Sequence, residues 1–240
     1  ALEVQGLYVA QTPVTSQDFS ERKVAVELAL IDVLVRVTGD SRVVNQPVVA
    51  GMISESSRLL SRFRYLESAQ DEQAITPWLL EVTFDEPAIR KALTDRGVPF
   101  WPAERPEVLV WIGVEQGAER YLVGADNPEA QVWRDELARS AAKRGVPLLF
   151  PLLDSQDNQQ IAFTDVWGGF KQEIMRASAR YNSRHLLVGR IFPASQGGLA
   201  ARWRFWTDYD ELEWSQSYGQ PQTLIDSSIE QVAATMTGYY

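Results

Sequence analysis

Hydrophobic residues in this 240-residue chain follow two patterns: periodic segments with one apolar face, and unbroken apolar runs. Leu7–Val14 reads as a strand, opening on Leu7-Tyr8-Val9-Ala10. Asp18 then stands where a helix N-cap belongs, with Glu21 placed to complete a capping box. The helix it opens runs to about Thr38 and stops at Gly39. Val24, Leu28, Ile31 and Val35 share one face of it, and Val26, Leu30, Val33 and Val37 the neighbouring one. An apolar arc this wide predicts a helix wedged between two layers. A second helix is expected over Val48–Arg62, and strands over Arg64–Ser68 and Trp78–Phe84, joined by the polar turn Gln70–Gln73.

Asp85 caps a short helix with Pro87 in its first turn, and Gly97 ends it. Pro99, Pro102 and Pro106 make a stiff connector that marks a domain seam. The stop Arg96-Gly97-Val98-Pro99-Phe100 returns as Arg144-Gly145-Val146-Pro147-Leu148, so the punctuation of one α/β unit recurs in the next. After the seam, Val108–Val114 is a continuous apolar run, as in a strand covered on both faces. A helix capped by Asp126 or Asn127 follows, with the stripe Ala130, Trp133, Leu137 and Ala141. Leu148–Leu153 reads as a second covered strand, Phe170–Tyr181 as a helix, and His185–Ile191, Leu199–Thr207 and Leu212–Tyr218 as strands. A last helix opens near Pro221 with the stripe Ile225, Ile229, Val232 and Met236.

The expected class is therefore α/β (α+β): two small domains, each a mixed sheet with helices packed on it. The first spans residues 1–104. The second spans 105–240 in the order β-α-β-α-β-β-β-α.

Composition narrows the function. A hydrophobic content of 45% with 23% charged residues is that of a folded globular chain. The net charge of −9 disfavours nucleic acid and anionic membrane surfaces as bulk partners. No cysteine is present, which removes disulfides, thiolate metal sites and cysteine nucleophiles. The apolar stretch Val24–Val37 is interrupted by Glu27, Asp32 and Arg36, so no transmembrane segment is expected. The chain opens at Ala1-Leu2-Glu3, as a mature end left by signal-peptide removal would, and as a trimmed chain would too.

Candidate chemistry is sparse. His185, the single histidine, heads a strand with no nucleophile motif beside it and reads as a core residue. Gly113–Gly117 lacks the lysine and hydroxyl of a phosphate loop, and Glu115 and Glu119 would repel phosphate. The acidic turn Asp208, Asp210, Glu211 and Glu213 is the one weak metal candidate, against the plainer reading of a solvated hairpin turn. Eight tryptophans are unusual. Arg202, Arg204 and Trp206 alternate along one strand and so share a face, a combination favoured at interfaces; tryptophans also simply fill cores.

Leu7–Ser16, Val33–Asp40, Ala88–Val114, Ser178–Ile191 and Ala201-Arg202-Trp203 together resemble a bacterial family, domain of unknown function 2066. The resemblance implies an exported proteobacterial protein, with members usually longer than this chain, and carries no activity and no catalytic residues. The half from Pro106 onward is similar, at the level of fold, to the amino-terminal domain of TolB and to lipoproteins of curli secretion and penicillin-binding-protein activation.

The function expected is a non-enzymatic, periplasmic protein-interaction module without a cofactor, binding another envelope protein through Arg202, Arg204 and Trp206. The alternatives are a glycan (peptidoglycan) binding module and, third, a hydrolase using the acidic turn 208–213.

Overall fold

The computed structural model describes residues 2–67 and 77–238; the expected Gln70–Gln73 turn and Ser68 lie outside them. In chain order the elements are β1 (Leu2–Glu3), β2 (Val9–Val14), α1 (Phe19–Thr38), α2 (Pro47–Ser54), β3 (Leu60–Glu67), β4 (Trp78–Phe84), α3 (Glu86–Asp95), β5 (Glu104–Arg105), β6 (Val108–Gln116) and β7 (Glu119–Leu122). They continue as α4 (Gln131–Arg144), β8 (Leu148–Leu149), α5 (Ser155–Gln160), α6 (Phe163–Gly168), α7 (Lys171–Ser178), β9 (His185–Pro193), β10 (Leu199–Trp206), β11 (Glu211–Tyr218) and α8 (Pro221–Thr237). Helices packed on sheets make the α/β class plain. The chain divides into two compact units. One is Val4–Ala103 with Lys143–Gly145 and Ala234–Tyr240; the other is Ala1–Glu3, Glu104–Ala142 and Val146–Ala233.

The first unit is built on a three-stranded sheet ordered β2-β4-β3, antiparallel throughout rather than mixed. Leu30, Val33, Leu34 and Val37 of α1 are fully buried in one core with Leu80 and Val82 of β4. Each such side chain contributes about 1.5–3 kcal/mol through burial. Only part of the apolar arc on α1 is used, because Val24 and Leu28 remain 55% and 48% exposed. The helix is therefore not wedged between layers along its first half.

The entry to α1 also differs from a capping box. Asp18 makes no side-chain cap bond. Glu21 instead accepts from the backbone N–H groups of Thr15 and Ser16 at 2.7 and 2.8 Å and from both hydroxyls. Four donors on one short loop outcompete a single N-cap N–H, and they pull the Glu21 carboxyl down to about 2. At the far end Gly39 takes φ 71° and its N–H returns to the Val35 carbonyl, as the helix stop requires.

The helix expected over Val48–Arg62 ends early. α2 stops at Ser54, a 3-10 turn covers Ser56–Arg58, and β3 begins at Leu60 to pair with β4. Cross-strand pairing of Phe63 with Val82 and Tyr65 with Leu80 overrides the local helical pattern.

The second unit centres on a mixed sheet ordered β11-β10-β9-β6, with β7 and β8 sharing the outer edge of β6. β6 and β9 run parallel, and β9, β10 and β11 antiparallel. The first seven residues of β6 are all buried, as a strand covered on both faces demands. The order of elements keeps the expected β-α-β-α-β-β-β-α but adds β5, β7, α5 and α6. The strand expected over Leu148–Leu153 shrinks to Leu148–Leu149. Pro151 has no N–H to donate, and Leu153 takes φ 52°, so no ladder can continue there. The helix expected over Phe170–Tyr181 is α7 plus a 3-10 turn that stops at Asn182 in the left-handed region.

One face of this sheet carries Val110, Ile112, Leu187, Trp203 and Phe205, all fully buried. The helices α4 and α8 lie on it: Trp133 donates to Tyr121, Ser228 donates to Gln216, and Arg139 bridges to Asp226. Gly189 is needed here, since a Cβ would sit 2.3 Å from the Trp203 ring. The opposite face packs Leu109, Trp111, Leu186, Val188 and Trp206 against α6 and α7. Trp111 donates its indole N–H to the buried Ser178 hydroxyl at 2.8 Å.

Candidate functional site

Strand alternation on β10 places Arg202, Arg204 and Trp206 on the α6–α7 face, and pairing with β9 extends the row. Arg202 stands directly opposite Arg190, Arg204 opposite Val188, and Trp206 opposite Leu186. On the other side Arg202 meets Ser215 and Arg204 meets Glu213. The face therefore changes along the strand, from apolar at Trp206 to basic at Arg202.

Each arginine is held differently. Arg190 is half-buried, lies over the Trp167 ring at 5.8 Å and donates to the Trp167 carbonyl at 3.3 Å. Burial, with the guanidiniums of Arg202 and Arg204 adding to it, pushes its pKa below the usual arginine value. Arg204 donates to the carbonyls of Gly168 and Gly169 at 3.2 and 3.4 Å and faces Glu213 at 3.4 Å. Gly169 allows this in two ways: its φ is 68°, and a Cβ there would lie 1.5 Å from the Arg204 guanidinium. Arg202 is exposed. Like charges directly opposite on neighbouring strands destabilise a sheet unless an anion joins them. A narrow cavity of about 20 Å³, lined by Trp167, Arg190, Arg202, Arg204 and Glu213, opens at this point.

Trp206 is not an exposed anchor. It is 5% exposed, and the Lys171 ammonium lies 5.3 Å over its ring while pairing with Glu211 at 2.6 Å. Trp206 floors a larger cleft of about 390 Å³, bordered by Met175 of α7, Asn182, Arg184, Asp208 and Asp210. Its volume lies within the range of small-ligand sites.

The acidic turn does not gather into a cation site. Glu211 pairs with Lys171, Glu213 with Arg204, and Asp208 with Arg184 at 3.5 Å. Thr207 closes the turn by accepting from Asp210 N–H and donating its own N–H to the Asp210 carbonyl. Among the described residues no group of three or more His, Cys, Asp or Glu side chains could hold a metal ion. His185 is buried with its ring 6.5 Å from that of Phe205, and burial lowers its pKa.

A cluster that sequence reasoning missed ties α5 to the end of α7. Asp157, 1% exposed, accepts from the Leu153 N–H, the Arg180 guanidinium and the Tyr181 hydroxyl, the last at 2.5 Å. Arg180 also forks onto Asp154, which caps α5, and this drags the Asp154 carboxyl down to about 2. Burial, with the Asp157 hydrogen bond behind it, pushes the Tyr181 hydroxyl up to about 12. With its oxygens engaged three ways, Asp157 works as a latch and not as a free acid or base. Asp154-Ser155-Gln156-Asp157 carries the spacing of a helix start, which was the available signal.

Residues 1–102 match a family model described as Domain of unknown function (DUF8605). That overturns the resemblance to domain of unknown function 2066: the family that matches is a different one, likewise without assigned function. No curated protein and no solved structure matches the chain, so the likeness to TolB and the secretion lipoproteins has no support. Among the described residues, no helix is long and apolar enough to cross a membrane.

Proposed function

We propose that the protein is a non-enzymatic interaction module that docks an acidic segment of a partner protein along Arg190, Arg202 and Arg204. One observation supports this above the rest. A chain of net charge −9 sets two arginines directly opposite each other on adjacent strands, one of them exposed, with Glu213 as the neighbouring acid. That arrangement costs stability in the free protein and is relieved by an incoming carboxylate. In this reading Trp206 supports the strip from below, and the surface contact falls to Arg202 and Arg204.

The test is capture from envelope extract by the wild-type protein and by Arg202→Glu. A partner retained by the wild type, released by salt and weakened at least about tenfold by the charge reversal supports the proposal. Equal retention by both overturns it. The periplasmic setting belongs to the same proposal, and fractionation of cells making the native protein tests it.

A second reading, glycan binding, draws on the 390 Å³ cleft with its Trp206 floor and Asn182, Asp208 and Asp210 rim. Soluble peptidoglycan fragments should then shift tryptophan fluorescence in the wild type but not after Asp210→Ala. The third reading, a hydrolase using the acidic turn 208–213, draws less from the geometry: Asp208, Glu211 and Glu213 are each in an ion pair, while Asp210 borders the cleft.

A further inference from the structure

We propose that β11 is a dimerisation edge, at which a second copy of this chain adds its own β11 antiparallel about a twofold axis through Ser215. Among the described residues β11 pairs only with β10 and ends the sheet. Its outward backbone groups thus form an open template. Among the described residues the other free edges are short, as four-residue β7 is, or carry protection. β3 has a register break between Leu60 and Arg62 and presents Arg62 and Arg64, and β2 contains Pro13. β11 carries the charges Glu211 and Glu213, but its eight residues stay in register with β10 throughout, without proline or a bulge.

The occupant follows from the side chains. Paired residues in a sheet point to the same face, so a self-pairing must centre on a residue and keep odd opposite odd. Centring on Glu213 sets that carboxylate against itself. Centring on Trp214 leaves the two Glu213 side chains diagonal neighbours. Centring on Ser215 pairs Leu212 with Tyr218, Glu213 with Ser217 and Trp214 with Gln216, and moves the acids to opposite ends. It is the longest register in which no two carboxylates are either opposite or diagonal, and such an isologous contact closes after two copies. The resulting interface joins two sheets into one; its axis residue Ser215 stands opposite Arg202, and its readout is the mass of the protein rather than what docks on the arginine strip.

The absence of cysteine from the chain makes the test clean. At the axis the two copies of residue 215 lie directly opposite, with Cβ atoms about 4.5–5.5 Å apart, close enough for a disulfide after a small adjustment. Light scattering of the wild type at high micromolar concentration is expected to give twice the monomer mass. Ser215→Cys should form a covalent dimer under mild oxidation at least about tenfold faster than Ser217→Cys, whose opposite residue is Glu213. Ser215→Glu, exposed and opposite Arg202 within its own chain, should fold and be monomeric. A monomeric wild type, equal cross-linking at 215 and 217, or pairing of β11 with another protein in place of its copy would overturn the proposal.

Discussion

Both sheets carry arginines on one face, yet they neutralise them differently. In the first unit Arg64 meets Glu81 at 2.6 Å, Gln11 donates to the same carboxylate, and Arg62 reaches the Thr83 hydroxyl. Every partner stands on a neighbouring strand, so the face is a self-contained polar ladder in water. In the second unit Arg190 faces Arg202, and Glu213 serves Arg204. The first face is balanced by its own chain, whereas on the second Arg190 and Arg202 stand opposite each other, which is what the proposed acidic partner would answer. It also follows from layering: the first sheet leaves a face to solvent, while the second is covered on both faces until α6 and α7 run out.

The largest effect belongs to the doubly covered sheet. Trp203→Ala should cost about 3–5 kcal/mol in urea unfolding, whereas Phe63→Ala on β3, where the ring is 40% exposed, should cost under about 1.5 kcal/mol. Similar losses at both sites would deny the difference in layering. Gly189→Ala should cost about 1–3 kcal/mol, because the Trp203 ring has no room to retreat.

The arginines should respond with opposite signs. Arg64→Ala is expected to destabilise by about 0.2–1 kcal/mol through loss of its bridge. Arg202→Ala should be neutral to stabilising by about the same amount, since it removes an opposed like charge. Destabilisation by both would place the two faces on one footing.

The acid limb of stability is the mildest probe. Glu21 and Asp154 both titrate at about 2 in the folded protein, below their ordinary values of 4.5 and 3.8. A depressed carboxyl stabilises the fold above its unfolded pKa, and that contribution is lost as pH falls from about 4.5 towards 2. Glu21→Gln should therefore flatten part of the loss measured by thermal unfolding across that window. At the other end Tyr181, raised to about 12, should release stability as pH climbs from 10 towards 12.

Much of this architecture was legible in the residues. The unbroken run in β6, the alternation in β4 and the glycine stop of α1 are local signals, and each element formed where it was expected. The alternation of Arg202 and Arg204 was equally readable. Other features depend on distant chain. Trp206 is buried because it packs with Leu109, Trp111, Leu186 and Val188 against α6 and α7, with Lys171, thirty-five positions earlier, across its ring. Arg190 joins the strip through a register that only pairing defines. α5 is a polar helix with no apolar period, held by Asp154 and the Arg180 fork, and so escaped notice. Glu21 chose Thr15 and Ser16 over the N-cap because loop donors, invisible in a spacing rule, converge on it.

An arginine strip completed by an anionic partner, as proposed, must bind a simple polyanion. Titration calorimetry with an oligoglutamate peptide tests it most directly, comparing wild type, Arg202→Glu and Arg64→Glu. Saturable, salt-sensitive binding is expected for the wild type, retained by Arg64→Glu and lost in Arg202→Glu. Equal binding by all three, or none by the wild type, would contradict the proposal.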